Sequence, residues 1–321
     1  MKKIFKYVPL IACAFILSGC GNSNTSDDAT KTEETPKKKL LNSYEDCELN
    51  SPVKSVDIRT YKASSKFGEL VKDDLADGYY YIVTFNDLGL CEKYVSYDDK
   101  DKIMYMQKAS YDSNGLLTEV ASYLDDGQLS RLYKYMCRED GECLKYEVFN
   151  EDGDLKSVLL RKFDGDKFVE YREEEYNAGD TLVNETIYKY NGDVLESCSR
   201  YMNKELQYTE KYSKYDKYGI QESSVYDYNG DLYQNRYFEY DKNGEIVVVR
   251  LLDVDGNKTY DAECRRNEND LVSYQRVWDG EEETITEYEY EYDQKGNWIK
   301  KIEFKGTLRK PVKITEREIV Y

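Results

Sequence analysis

The chain has 321 residues, 46 Lys and Arg against 64 Asp and Glu, no histidine, and 34 Tyr against 9 Phe. Its formal charge of −18 removes the positive field that nucleic acid or anionic headgroups would need, and the missing imidazole removes His-based acid–base chemistry and most catalytic zinc sites. A mean hydropathy of −0.82 excludes a thick aliphatic core and favours a thin sheet on which Tyr lays down its ring and keeps its hydroxyl wet.

Residues 1–19 read as an export signal: Lys2, Lys3 and Lys6 precede an apolar run from Ile4 to Leu17 that is too short to span a bilayer. The closing Leu17-Ser18-Gly19-Cys20 resembles the bacterial lipobox. That resemblance implies that Cys20 is lipidated and becomes the first residue of the mature chain. Removing residues 1–19 takes away three Lys and leaves −18 − 3 = −21. Residues 20–39 are nearly devoid of apolar side chains and read as a flexible tether. No later stretch approaches a membrane span, so lipid alone would hold the protein to the membrane.

Residues 40–78 precede the repeats. Val53–Tyr61 predicts a strand with Val56, Ile58 and Thr60 on one face, and Lys62–Gly78 predicts a polar connection. From residue 79 to 321, glycines recur in two interleaved series about every twenty-six residues. One series runs Gly89, Gly115, Gly141, Gly165, Gly192, Gly219, Gly244 and Gly296, with Asp270 in phase; the other runs from Gly127 to Gly306, with Asp101 and Glu205 in phase. Asx residues before most of them mark tight turns, and the Tyr-, Val-, Ile- and Thr-rich segments between have strand length. The fold class is therefore all-β, a long antiparallel meander of repeated hairpins. About eighteen turns imply a sheet about 80 Å across at ~4.8 Å per strand, which must coil; the spacing leaves open whether it closes into a barrel or shell.

In Thr284–Tyr292 the alternation sets Tyr288, Tyr290 and Tyr292 on an aromatic face and Glu287, Glu289 and Glu291 on an acidic one. Ile246–Leu252 is apolar on both faces, which predicts cover on both sides. Pro311 predicts a break in pairing before a last edge strand, Val312–Tyr321, guarded by Lys313, Arg317 and Glu318.

The boxes Tyr111-Asp112-x-x-Gly115, Tyr215-Asp216-x-x-Gly219, Tyr240-Asp241-x-x-Gly244 and Tyr292-Asp293-x-x-Gly296 resemble the YD repeats of RHS-type proteins over most of residues 79–306. The chain as a whole resembles small RHS-like repeat lipoproteins. It departs from the large RHS toxins in its longer repeat and in ending at Tyr321 without their conserved core or toxin domain, so their toxin-encapsulating role does not carry over.

Chemistry is sparse. No phosphate loop or catalytic constellation is present, and the carboxylates on turns read as solvated charges. Asp253-Val254-Asp255-Gly256-Asn257 and Asn150–Asp154 resemble pieces of calcium loops but lack a spaced bidentate Glu, so they read as turns. No catalytic, cofactor or metal residue is assigned. Cys137 and Cys143 flank the Gly141 turn; the spacing allows a disulfide in an exported protein and equally allows two small residues at repeat positions. The sequence thus predicts a non-enzymatic, lipid-anchored surface protein that offers an aromatic and acidic surface to an envelope protein or a glycan. The alternatives are an immunity lipoprotein masking a basic toxin and, less favoured, a glycan-active enzyme.

Overall fold

The computed structural model describes residues 43–177 and 179–321; Cys20 and its tether lie outside them. Twenty-one strands form one antiparallel sheet. They are β1 (Ser55–Lys66), β2 (Glu69–Leu75), β3 (Tyr79–Phe85), β4 (Cys91–Asp98), β5 (Ile103–Tyr111), β6 (Leu117–Leu124), β7 (Leu129–Cys137), β8 (Cys143–Asn150), β9 (Leu155–Asp164), β10 (Lys167–Asn177) and β11 (Asp180–Asn191). They continue as β12 (Val194–Met202), β13 (Glu205–Tyr215), β14 (Ile220–Asp227), β15 (Leu232–Tyr240), β16 (Ile246–Leu252), β17 (Lys258–Arg266), β18 (Val272–Trp278), β19 (Glu283–Tyr292), β20 (Trp298–Lys305) and β21 (Lys310–Val320).

From β3 onward each strand pairs with the next, as a meander must. The ring closes because β1 lies between the two ends: Ser55–Lys62 pairs with β21 and Ser55–Ile58 with β3. β2 occupies the same edge of β1 as β3, farther along, so the two lie end to end as one stave. Twenty-one strands therefore make 21 − 1 = 20 staves, a closed barrel about 96 Å around at ~4.8 Å per stave. An even number is what lets an antiparallel ring close without a parallel pair.

The YDxxG box works as a turn with its own internal wiring. Asp112 donates its N–H to Leu116 O, Gly115 donates to Asp112 O, and the Asp112 carboxylate accepts from the Asn114 and Leu116 amides. The same pattern recurs at Asp227, Asp241, Asp253 and Asp293, and with Asn at 86 and 267. Asp101 and Asp270 take the left-handed conformation in the glycine phase. Glu205 does not: it opens β13, and Asn203 and Lys204 make the turn, a two-residue link in which both residues have positive φ. At Gly89, φ is +74° and a Cβ would sit 2.7 Å from the Tyr44 ring.

Three expectations are corrected. Lys62–Gly78 is not a loop: β1 runs on to Lys66 and turns back as β2, because its Ser, Lys and Val residues pair as a hairpin. β21 includes Pro311, whose missing N–H falls at a register shift, and it is no edge, since β1 covers it with eight paired residues from Ser55 to Lys62. β16 has no second layer over it; its residues are half-buried or exposed, with Val247, Val249 and Leu251 on one face and Val248, Arg250 and Leu252 on the other.

The main apolar cluster sits at the closure. Leu49 and Val53, from the segment before β1, pack on Val56, Ile58, Val83, Phe85 and Cys91. That segment opens with one 3-10 turn, Tyr44–Cys47, tied to the first repeat turn by Tyr44 N–H to Gly89 O. The two ends of the barrel thus differ. The turns after β3, β5 and so on to β19 form a proximal rim, where the described chain begins at Ser43 and ends at Tyr321. The turns after β4, β6 and so on to β20 form a distal rim, where the tip of the β1–β2 hairpin also lies.

Candidate binding surfaces

Cross-strand partners share a face, so the ladder sorts strand residues into an inner and an outer set. The inner set includes Tyr81, Tyr94, Tyr105, Tyr133, Tyr135, Tyr146, Tyr171, Tyr212, Tyr288 and Tyr290. Gln107, Ser122 and Ser223 on the same face are buried, which places this face in the concavity, and burial pushes the phenols of Tyr135, Tyr171, Tyr212 and Tyr290 far above their ordinary range. Several of the hydroxyls on this face bond to protein groups. Tyr288 donates to Gln275, Tyr212 to Cys198 Sγ, and Tyr105 to Ser122 at 2.9 Å.

Near the proximal rim a tyrosine hydroxyl repeatedly reaches the first carbonyl of the preceding strand. Tyr111 bonds Cys91 O at 2.6 Å, Tyr190 bonds Phe168 O at 2.9 Å, Tyr240 bonds Ile220 O at 2.7 Å and Tyr290 bonds Val272 O at 2.8 Å. These are stitches between successive proximal turns, so the recurring Tyr has a structural use in these four units. Cys137 stands where Tyr111 stands in the previous repeat; it is bonded to Cys143, its cross-strand partner on β8. Cys47, Cys91, Cys198 and Cys264 are free thiols, and burial pushes Cys47 up to about 11 and Cys91 up to about 12.

Inside the wall, two buried charges are held by partners. The Glu210 carboxylate accepts from Ser223 Oγ at 2.5 Å and from Arg236 Nη1 at 3.2 Å. At the closure, Arg317 lies 3.4 Å over the Trp298 ring, donates to Cys47 O, and faces Glu48, which also accepts from Trp298 Nε1. Burial pulls the Arg317 guanidinium down to about 10, with Glu48 opposing the shift, and burial likewise lowers Lys301 beside it. Arg317 is therefore a seam residue, not the edge guard its charge suggested.

The outer set carries ion pairs in mid-strand. Arg172 bridges Glu174 and Glu185, Lys214 meets Glu222, Lys300 meets Glu291, and Asp261 collects Arg250, Lys258 and Arg276 within 3.3 Å. Such a face does not suit lipid, where a mid-depth Arg or Lys costs about 2–4 kcal/mol in a barrel wall. Among the described residues no helix is long and apolar enough to cross a membrane either.

Charge is partitioned with unusual sharpness. The strands hold 30 Lys and Arg against 30 Asp and Glu, a net of zero. The other described residues, the turns and the segment before β1, hold 9 against 30, so 9 − 30 = −21. The walls neutralise themselves across strands; the rims carry the charge.

No turn gathers these acids into a metal set among the described residues. The Asp253 carboxylate is used by the Asp255 and Asn257 amides and the Asn257 side chain, contacts that hold it below the usual carboxylate range. An open groove of about 540 Å³ lies at the proximal rim between the 241–245 and 267–271 turns, with Arg266 bonded to Asp270 O and Glu245. Beside it Tyr292 accepts from Asn267. The groove is lined by the free thiol Cys264 and by Asp241, Glu263, Arg266 and Asp270.

No family model matches the chain. Among solved structures it is similar to porin-like proteins of Bacteroides uniformis and Bacteroides vulgatus, each 10% identical over 84% of this chain and 98% of the other, with TM-scores of 0.31 and 0.28. It is also similar to the Tc holotoxin pore of Photorhabdus luminescens, 10% identical over 76% of this chain and 20% of that one, TM-score 0.20. Likenesses this loose say nothing about function.

Proposed function

We propose that this protein is a lipid-anchored, non-catalytic surface lipoprotein of RHS-like repeats, whose closed wall is a rigid frame and whose acidic rims meet a basic protein partner. The observation that carries the reading is the partition of charge: neutral walls and a surplus of 21 acids confined to turns and the leading segment. Long-range attraction then acts end-on, which steers a cationic partner toward a rim. The inward, internally bonded tyrosines favour a protein partner over a glycan stacked on exposed rings. Anchoring rests on the Leu17–Cys20 box. A lipoprotein that neutralises a basic toxin is the form of this function that the same acid surplus favours.

Two measurements test it. Palmitate labelling and mass spectrometry of wild type and Cys20→Ser should show a lipidated Cys20 at the mature N-terminus that the variant loses; an unmodified Cys20 retained within the chain sinks the anchor. Envelope pull-down at rising salt should release basic proteins first, and salt-independent capture of neutral glycan would overturn the protein-binding reading.

A further inference from the structure

Closing the ring removes every strand edge in the wall except one. Past Lys62 the pairing of β1 with β21 stops, and Ala63–Lys66 pairs only with β2. Among the described residues β2 in turn pairs with β1 alone. The result is a two-stranded flap at the distal rim whose outer strand is β2.

The register fixes which backbone groups of the flap are unused. Lys66 and Glu69 flank a two-residue turn and form its first hydrogen-bonded pair, Ser64 and Val71 the second. The N–H and C=O of Leu70 and Lys72, between and beyond these pairs, therefore point away from β1, in the alternating order that only another extended strand can satisfy.

The tip adds a second sign. Phe67 takes φ 56° and Gly68 φ 85°, a turn usually made by Asn-Gly, and Phe67 is fully exposed. A bulky residue with positive φ and no contact contributes nothing to the fold that an Asn would not supply better. Leu70 next to it is 40% exposed. Glu69 and Asp74 flank this apolar pair, while Lys66 is paired with Asp73 and Lys72 with Glu316, and the flap shares its rim with the acidic Asp125-Asp126 and Asp279–Glu282 turns.

We propose that the free edge of β2 is a docking site for an extended, apolar-and-basic segment of a partner protein, which adds as a strand beside Leu70 and Lys72 and packs on Phe67. The inference deepens the proposed function by naming its site and binding mode. The described chain begins at Ser43 on the proximal rim, the end of the barrel opposite the flap. The edge itself does not depend on the lipid anchor.

The test uses the mature chain carrying Cys20→Ser, kept in solution, with a fluorescent decapeptide of alternating Val and Arg. Its control has two of the Val replaced by Pro at equal charge. We expect saturable binding by anisotropy, protection of the Leu70 and Lys72 amides in hydrogen exchange, and no binding of the control. Leu70→Pro removes an outward N–H without breaking a β1 ladder bond and should weaken binding at least about tenfold. Phe67→Ala should weaken it severalfold while leaving the circular dichroism unchanged. Equal binding by Leu70→Pro, equal binding of the control peptide, no binding, or a flap already paired in a dimer of this chain would each overturn the proposal. Palmitate labelling reads the anchor separately, so the two failures are distinguishable.

Discussion

The repeat wall and the seam solve the same closure problem by different means. From β4 to β20 the wall is held by local devices that recur along it: Asx-Gly turns, cross-strand ion pairs outside and tyrosine stitches inside. The β21–β1–β3 seam joins residues about 250 positions apart, for example Thr60 to Thr315 and Glu48 to Trp298, and there the chain concentrates its aliphatic side chains and a buried guanidinium. Contacts that recur can each be weak because none is unique. A contact made once, at the largest loop-closure cost in the molecule, must be strong.

The sharpest way to break this comparison is by deletion. Removing residues 128–153 takes out β7 and β8 and leaves 20 − 2 = 18 staves, so the seam strands still meet antiparallel. Removing residues 116–127 takes out β6 alone and leaves 19, which forces a parallel pair or an open edge. Soluble yield and urea midpoints should show the shorter deletion to be far more damaging. Equal tolerance would mean that the ring is not closed in solution.

Alkali should unfold the wall cooperatively. Burial, then neighbouring negative groups, raises the phenols of Tyr135, Tyr171, Tyr212 and Tyr290, and Tyr215 is pushed up to about 12. A phenol whose folded value lies above its unfolded value of about 10 gives stability that is complete below that pH and lost as pH rises, because the unfolded chain releases its proton first. Ultraviolet titration and circular dichroism should therefore show tyrosinate formation and loss of strand signal together. Independent, earlier tyrosinate formation would put the rings on the outside.

Next in size is the seam anchor. Trp298 is 3% exposed beneath Arg317, and Trp298→Ala should cost about 3–5 kcal/mol, read from denaturant midpoints. A repeat stitch should cost less: Tyr240→Phe removes one hydroxyl bond to Ile220 O, about 1 kcal/mol. Lys214→Met, which breaks an outer ion pair with Glu222, should leave the midpoint unchanged. If the stitch proved as costly as the seam, the division of labour drawn here would be wrong.

Much of this was legible in the sequence because its signals are local. The turns announced themselves through Asx and Gly, since positive φ and self-bonding carboxylates are properties of a few adjacent residues. The Tyr288–Tyr290 and Glu287–Glu289 faces were readable from a period of two, and the structure keeps them apart, with Arg309 bound to both glutamates outside. The flap was not readable, because Lys62–Gly78 has a polar composition and a Phe-Gly turn that carries no Asx signal. Arg317 was misassigned for a related reason: a charged residue on a terminal strand guards an edge only if that strand is an edge.

By itself, then, the sequence determined the turn spacing, the antiparallel meander, the two chemically distinct faces and the sign of the charge, all set by interactions within one hairpin. Only the tertiary structure decided that the sheet closes, that the tyrosine face turns inward, that the acids fall on two rims and that a single edge stays open. Those depend on accumulated twist and on which distant strands meet, and a ring of staves closes through a register between β1 and β21 that no local pattern encodes.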